Sequence, residues 1–227
     1  MSGAAPMTRS FEPLHARFGF VLVLQFGLLI WLVAFDRGRE LRFLLELTGV
    51  IIPLFAIAVV TPKRRDRWIA VALATGSMLF SGGALSGIRP GGGDIGPLLA
   101  VVFSAYATWK MLLGIVRSER VTGNVLAGAL ATYIMAGLAF AVVYGVIAVR
   151  QPDAFVTAAA APAAFSDLVY FSFVTLLTIG FGDVTPAAPF ARAVALVEGL
   201  FGVVFTTVVM ASLVAGYLRH RENDAGA

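Results

Sequence analysis

The chain has 227 residues, of which 59% are hydrophobic and 13% charged, with a formal net charge of +4 and no cysteine. That balance is an integral membrane protein's and leaves no room for a sizeable soluble domain. The lack of cysteine excludes disulfides, thiolate metal sites and a thiol nucleophile, and basic residues flanking apolar runs report orientation in a bilayer rather than nucleic-acid binding.

Residues 1–17 form a short N-terminal segment. Met1 to Ser10 lacks the charged, apolar and small-residue order of a cleaved signal, so the first apolar run is expected to remain as an anchor. Apolar runs over Phe18–Phe35, Leu41–Val60, Trp68–Ile88 and Pro97–Val116 each approach the roughly 20 residues that span a bilayer. Together they predict a four-span membrane domain over 18–120. Pro53 implies a kink in the second run, and Glu46 lies near enough to that run's end to be wet. The third run is rich in small residues, among them Gly76, Ser77, Gly83 and Gly87, and the four-residue spacing of the last two suits close helix packing. A voltage sensor needs Arg or Lys at every third position, because each charge moved contributes about 2.3 kcal/mol per 100 mV. Pro97–Val116 has Lys110 alone, with Arg117 and Arg120 at its edge, so no sensor is expected. Lys110 is read as snorkelling to the inner interface rather than gating.

A fifth run covers Val125–Val149 and a sixth Ala191–Leu218. Between them, Ala158–Ala164 reads as an exposed turret. Ser166–Leu177 is an apolar run of twelve residues, too short to cross but suited to a re-entrant helix. Ser166 is the expected N-cap, and Phe165 is expected to pack back on the first turn as a staple. The helix ends at Thr178 and aims the partial negative charge of its C-terminus at the membrane centre. Counting basic residues in the loops puts ten on the side of the N-terminus and six opposite, which predicts both termini in the cytoplasm of a multi-pass cell-membrane protein. The tail 219–227 is nine residues, with no ligand-binding domain expected there. His15 and His220 stand near opposite ends of the chain and read as exposed.

Thr178-Ile179-Gly180-Phe181-Gly182-Asp183 resembles the filter signature of the potassium channel superfamily, and residues 121–218 resemble that family's pore domain of outer helix, pore helix, filter and inner helix. The resemblance implies an all-α membrane fold of six transmembrane helices, with the re-entrant pore helix and filter between spans five and six. Carbonyls of Thr178, Ile179, Gly180 and Phe181 and the Thr178 hydroxyl would hold K+ in place of its water, with Gly182 lining the exit. Glycine at 180 and 182 permits the left-handed dihedrals this needs. Four chains are required to close each oxygen ring, so the resemblance implies a homotetramer in lipid, with K+ as the permeant ion, no other cofactor and no enzymatic activity.

Asp183, Tyr170, Phe171 and Thr175 fall at positions that support the filter, the two aromatics as a cuff around it. Phe181 and Phe171 carry no hydroxyl, so a side-chain hydrogen bond between them is excluded, while Val174 and Leu177 replace an acid and a threonine found in relatives. Gly202, nineteen positions after Asp183, falls at the family's hinge glycine, with Gly199 as the alternative and helix packing as a competing explanation. Glu198 is expected to face the protein interior behind the pore, where it requires a partner that the sequence does not identify. The function implied is a passive K+-selective channel. The alternatives are a weakly selective cation channel and a receptor or accessory subunit with a vestigial pore loop.

Overall fold

The computed structural model describes residues 17–34, 64–85, 95–118, 121–158 and 162–225. The expected second span with Glu46 and Pro53, Gly87 of the expected packing pair, and His15 lie outside the described residues. The elements are α1 (Arg17–Ala34), α2 (Arg64–Leu85), α3 (Ile95–Val116), α4 (Gly123–Arg150), β1 (Phe155–Thr157), the short α5 (Phe165–Leu176), β2 (Val184–Pro186), α6 (Pro189–Val204) and α7 (Ala211–Ala225), with one π-helical stretch, Phe205–Met210, joining α6 to α7. Among the described residues, three helical segments, Leu98–Val116, Gly123–Arg150 and Pro189–Arg219, are long and apolar enough to cross a membrane. The expected bounds of the runs agree with these helices to a few residues.

α4 is the organising helix. It packs against α1, α3 and α5, and Ala131 through Gly137 are all buried. A helix buried around its circumference needs apolar residues on every face and small ones where neighbours approach, which the alanines and glycines of α4 supply. One core cluster joins Ile115 of α3, Ala129 and Tyr133 of α4, Leu176 of α5, Phe205 and Leu213. A second joins Tyr144 and Ile147 of α4 to Phe155, Leu168, Phe171, Ala188 and Ala191. α5 is thus wedged between the outer helix α4 and the inner helix that α6 begins.

α2 packs on α3 around Ala70, Ala74, Phe103 and Ala107. A Cβ at Gly76 would stand 3.2 Å from Leu99 Cδ1, so this residue allows the close approach that its small size suggested. Lys110 does not reach freely for the interface. Its ammonium lies 2.8 Å from the Asp66 carboxylate at the start of α2 and 5.3 Å from the centre of the Tyr106 ring. The hydrogen-bonded ammonium holds the Asp66 carboxyl below the usual carboxylate range.

The stretch before α5 is not only a turret. Its first part pairs antiparallel with the segment after the filter, Phe155 opposite Pro186, Val156 opposite Thr185 and Thr157 opposite Val184. The Ala158 N–H donates to the Asp183 carbonyl at 2.9 Å, extending the pairing by one residue toward Gly182. The all-α expectation is amended by this small ribbon.

The inner helix starts with Pro189 in its first turn, where a missing N–H costs nothing. It widens to π geometry from Phe205. There the Thr206 hydroxyl donates to the Gly202 carbonyl at 2.9 Å and the Thr207 hydroxyl to Val203 at 2.6 Å. Hydroxyls bonding back on the preceding turn compete with the helical ladder and bend it.

Candidate functional site

The site is built at the C-terminal end of α5. The N-terminal end differs from expectation, because the helix begins at Phe165 with Ala164 as its cap residue. The Asp167 carboxylate accepts the Ala164 N–H at 2.9 Å, so an acid in the first turn satisfies the exposed donor and Ser166 is not the cap. Phe165 packs with Leu28 and Trp31 of α1 and Leu138 of α4 rather than folding back on its own first turn. It joins the pore helix to the N-terminal helices.

At the other end, the carbonyls of the last turn are all satisfied. Leu177 N–H donates to Phe173 O at 2.9 Å, Ile179 N–H to Val174 O at 2.9 Å and Thr178 N–H to Thr175 O at 3.0 Å. The Tyr133 hydroxyl of α4 donates to Leu176 O at 2.7 Å. The bonds from Thr178 and Ile179 form the paired closure that ends many helices, which requires a left-handed residue where Thr178 stands. Thr178 has φ +57°. The position ordinarily taken by glycine is therefore held by a threonine, a cost of about 1–2 kcal/mol that the surrounding bonds must offset.

Beyond it the chain alternates. Among the described residues, φ is positive at Thr178 (+57°), Gly180 (+63°) and Gly182 (+80°), and nowhere else. In an ordinary strand successive peptide groups point to opposite sides. Reversing the handedness at every second residue turns alternate peptides over, so that successive carbonyls can face one direction. Among the described residues nothing stands within 4 Å of a Cβ built on Gly180 or Gly182. The glycines are thus explained by dihedral angle and not by space. The segment lies exposed on the surface of the protomer, with Ile179 48% and Phe181 67% accessible.

The surroundings sort the expected support residues. The Tyr170 ring lies parallel to Phe181, 6.5 Å between centroids and 3° between planes. The Asp183 carboxylate, two residues beyond Phe181, accepts the Val184 N–H at 3.1 Å. The contact from the helix to the segment after it is therefore the ring pair of Tyr170 and Phe181, and not the pair 171 and 181. Phe171 turns away from the filter. It packs edge-on against Tyr144 at 5.1 Å and Phe155 at 5.7 Å, so it carries strand β1 and the outer helix instead of completing a cuff with Tyr170. Arg192 Nε donates to Pro186 O at 3.0 Å, fastening the strand after the filter to the inner helix. Thr175 contributes its carbonyl to the helix end.

Gly202 has a packing reason. A Cβ there would fall 2.3 Å from Leu176 O, so the inner helix crosses the end of α5 in backbone contact. A Cβ at Gly199 would meet nothing within 4 Å among the described residues. Glu198 is fully buried, as its position suggested, and its missing partners are the Tyr144 hydroxyl and the Ser172 hydroxyl, each at 2.5 Å. Sequence reasoning missed Tyr133, Tyr144 and Ser172. The only signal was a polar group within an otherwise apolar helix.

Comparison with known proteins meets this site. Residues 130–217 match the ion channel family, a span that begins in α4 and ends in α7. Over 72 residues the chain is 35% identical to a protein of rice (Oryza sativa subsp. japonica) described as two pore potassium channel c. That alignment covers 32% of this chain and 16% of the rice protein, so the chain spans about one sixth of the relative's length. No solved structure matches.

Proposed function

We propose that this chain, whose pore module belongs to the potassium channel superfamily and which is accordingly not an enzyme, is one subunit of a homotetrameric channel conducting K+ passively and selectively. The single observation that carries the proposal is the run of left-handed residues at 178, 180 and 182, set at the C-terminal end of a short apolar helix. Peptide groups so turned offer a cation a column of carbonyl oxygens, and the helix end adds a negative potential beneath it. Thr178, Ile179, Gly180 and Phe181 are the K+ ligands in this reading, Gly182 lines the exit, and Tyr170, Asp183 and Thr175 hold the segment in place.

One protomer supplies one such column, and the sequence contains one such hexapeptide, so a closed ring requires copies. The inner helix leaves Leu196, Leu200, Val203, Val204 and Val208 exposed. This apolar face, of a size that soluble monomers rarely show, is where neighbouring subunits and lipid would lie. The pairing of Lys110 with Asp66 supports an α3 that moves no gating charge. Gly202, in backbone contact with the pore helix, is a point at which inner-helix motion reaches the filter. The assembly would sit in the cell membrane with both termini cytoplasmic.

The experiment is reconstitution of the purified protein in a planar bilayer with K+ on one side and Na+ on the other. A reversal potential close to that of K+ is expected. One near zero would make the pore a weakly selective cation channel, and no current from a folded, assembled protein would leave an accessory subunit.

A further inference from the structure

Glu198 sits in the middle of the inner helix with no solvent exposure, at the junction of three helices. Its Oε2 is 2.5 Å from the Tyr144 hydroxyl of α4, and its Oε1 is 2.5 Å from the Ser172 hydroxyl of α5. The Ser172 Oγ is also 2.7 Å from the Gly137 carbonyl oxygen of α4. These are three oxygen pairs at hydrogen-bond distance, and each requires one proton between its members.

Tyr144 brings one proton and Ser172 one. A carbonyl brings none. If Glu198 were ionised, Ser172 would face two acceptors with a single O–H, and one close pair of oxygens would be held together by nothing. One hydrogen shared between both acceptors would give two bent, weakened bonds in place of two full ones. A proton on Oε1 closes the count. Glu198 then donates to Ser172, Ser172 to the Gly137 carbonyl and Tyr144 to Oε2.

The surroundings agree. The groups facing the carboxyl are Tyr144 and, farther off, Tyr133 from α4, and Ser172 from α5. Arg192 on the same helix is turned to the Pro186 carbonyl. Among the described residues the ion pair formed is Lys110 with Asp66, and no cation is paired with Glu198. A carboxylate buried without a cation is expensive enough that the group keeps its proton instead.

We infer that Glu198 is a neutral, protonated acid that latches the inner helix to the back of the pore helix, and that its ionisation at alkaline pH opens the latch. Ser172 lies six residues, about 9 Å along the helix, before Thr178, so the latch fixes the helix that positions the first filter residue. Glu198 is a positioning residue and does not touch the permeant ion. The state of the latch rests on the side-chain geometry alone. Its consequence for current rests on the channel reading.

The test uses the full-length protein in lipid nanodiscs. Infrared spectra of wild type and Glu198→Gln at neutral pH are subtracted, and the carbonyl stretch of a protonated carboxylic acid is expected in wild type and lost in the variant. Glutamine reproduces the latch, because its amide donates to Ser172 and its oxygen accepts from Tyr144. Glu198→Gln should therefore melt with wild type while Glu198→Ala melts lower. On raising the pH, the wild-type band is expected to disappear together with the current, and the current of Glu198→Gln to stay flat. No protonated-acid band at neutral pH, or a glutamine variant as unstable as the alanine variant, would overturn the inference whether or not the protein conducts. A band that persists unchanged to alkaline pH, or currents of the two proteins that respond alike to pH, would overturn the switch.

Discussion

At the scale of single residues, the pore helix is held by bonds that run through its backbone ends. Tyr133 serves the Leu176 carbonyl at 2.7 Å, where no backbone donor is supplied. Tyr133→Phe leaves a buried acceptor unpaired and is expected to destabilise the protein by about 1–3 kcal/mol, measured as a lower melting temperature in detergent. Gly202→Ala places a carbon 2.3 Å from the same carbonyl, too close for any relaxation but movement of a helix. It is expected to cost about 1–3 kcal/mol as overpacking does and to reduce current, whereas Gly199→Ala meets nothing within the protomer. Equal melting of the two alanine variants would remove Gly202 as a contact point. Tyr170→Leu loses the ring that lies parallel to Phe181, so current in low external K+ should decay faster than in wild type. Identical decay in low and high K+ would show that this link does not hold the filter. A tryptophan at 171 is not expected to brace it, because that side chain fills the corner between Tyr144 and Phe155.

At the scale of elements, the pairing of α2 with α3 is pinned by Asp66 and Lys110. The Asp66 carboxyl is held below its usual range, so it binds fewer protons in the folded state than in the unfolded one. Its contribution is present at neutral pH, and is lost as pH falls below the ordinary carboxylate range toward the depressed folded value. Asp66→Asn should lower stability at neutral pH and change it little in strong acid, while Lys110→Gln should leave the conductance–voltage relation as shallow as before. A steep relation abolished by that change would contradict the ion-paired reading.

The helices themselves were legible because apolar runs of spanning length have few alternatives, and α1, α3, α4 and the inner helix fall within a few residues of their runs. The left-handed turns at 180 and 182 were legible for a different reason. Their two glycines encode dihedral angles locally. The ribbon of β1 and β2 was hidden because three-residue strands thirty positions apart declare themselves only once Phe155 finds its place beside Tyr144 and Phe171. The cap on α5 was misplaced by two residues because Asp167 reaches back from the first turn to the Ala164 N–H, which starts the helix ahead of Ser166. Glu198 stood out in the sequence as a charge that needed partners, but Tyr144 and Ser172 lie 54 and 26 residues away. No periodicity links them.

At the scale of the whole molecule, the proposed assembly accounts for what the single chain leaves exposed. Its filter segment and one face of its inner helix are exposed together, while the opposite side of the inner helix is packed through Glu198, Gly202 and Phe205 against the pore and outer helices. Both observations are met by copies arranged around an axis in front of residues 178–182, and mass measurement in detergent is expected to give four subunits. The most direct test is to soak or grow the protein with thallium, which substitutes for K+ and scatters strongly, and to map its anomalous signal. The account predicts a file of peaks on a four-fold axis, at the level of the carbonyls of Thr178, Ile179, Gly180 and Phe181. Protomers without such an axis, or thallium bound only elsewhere, would contradict it.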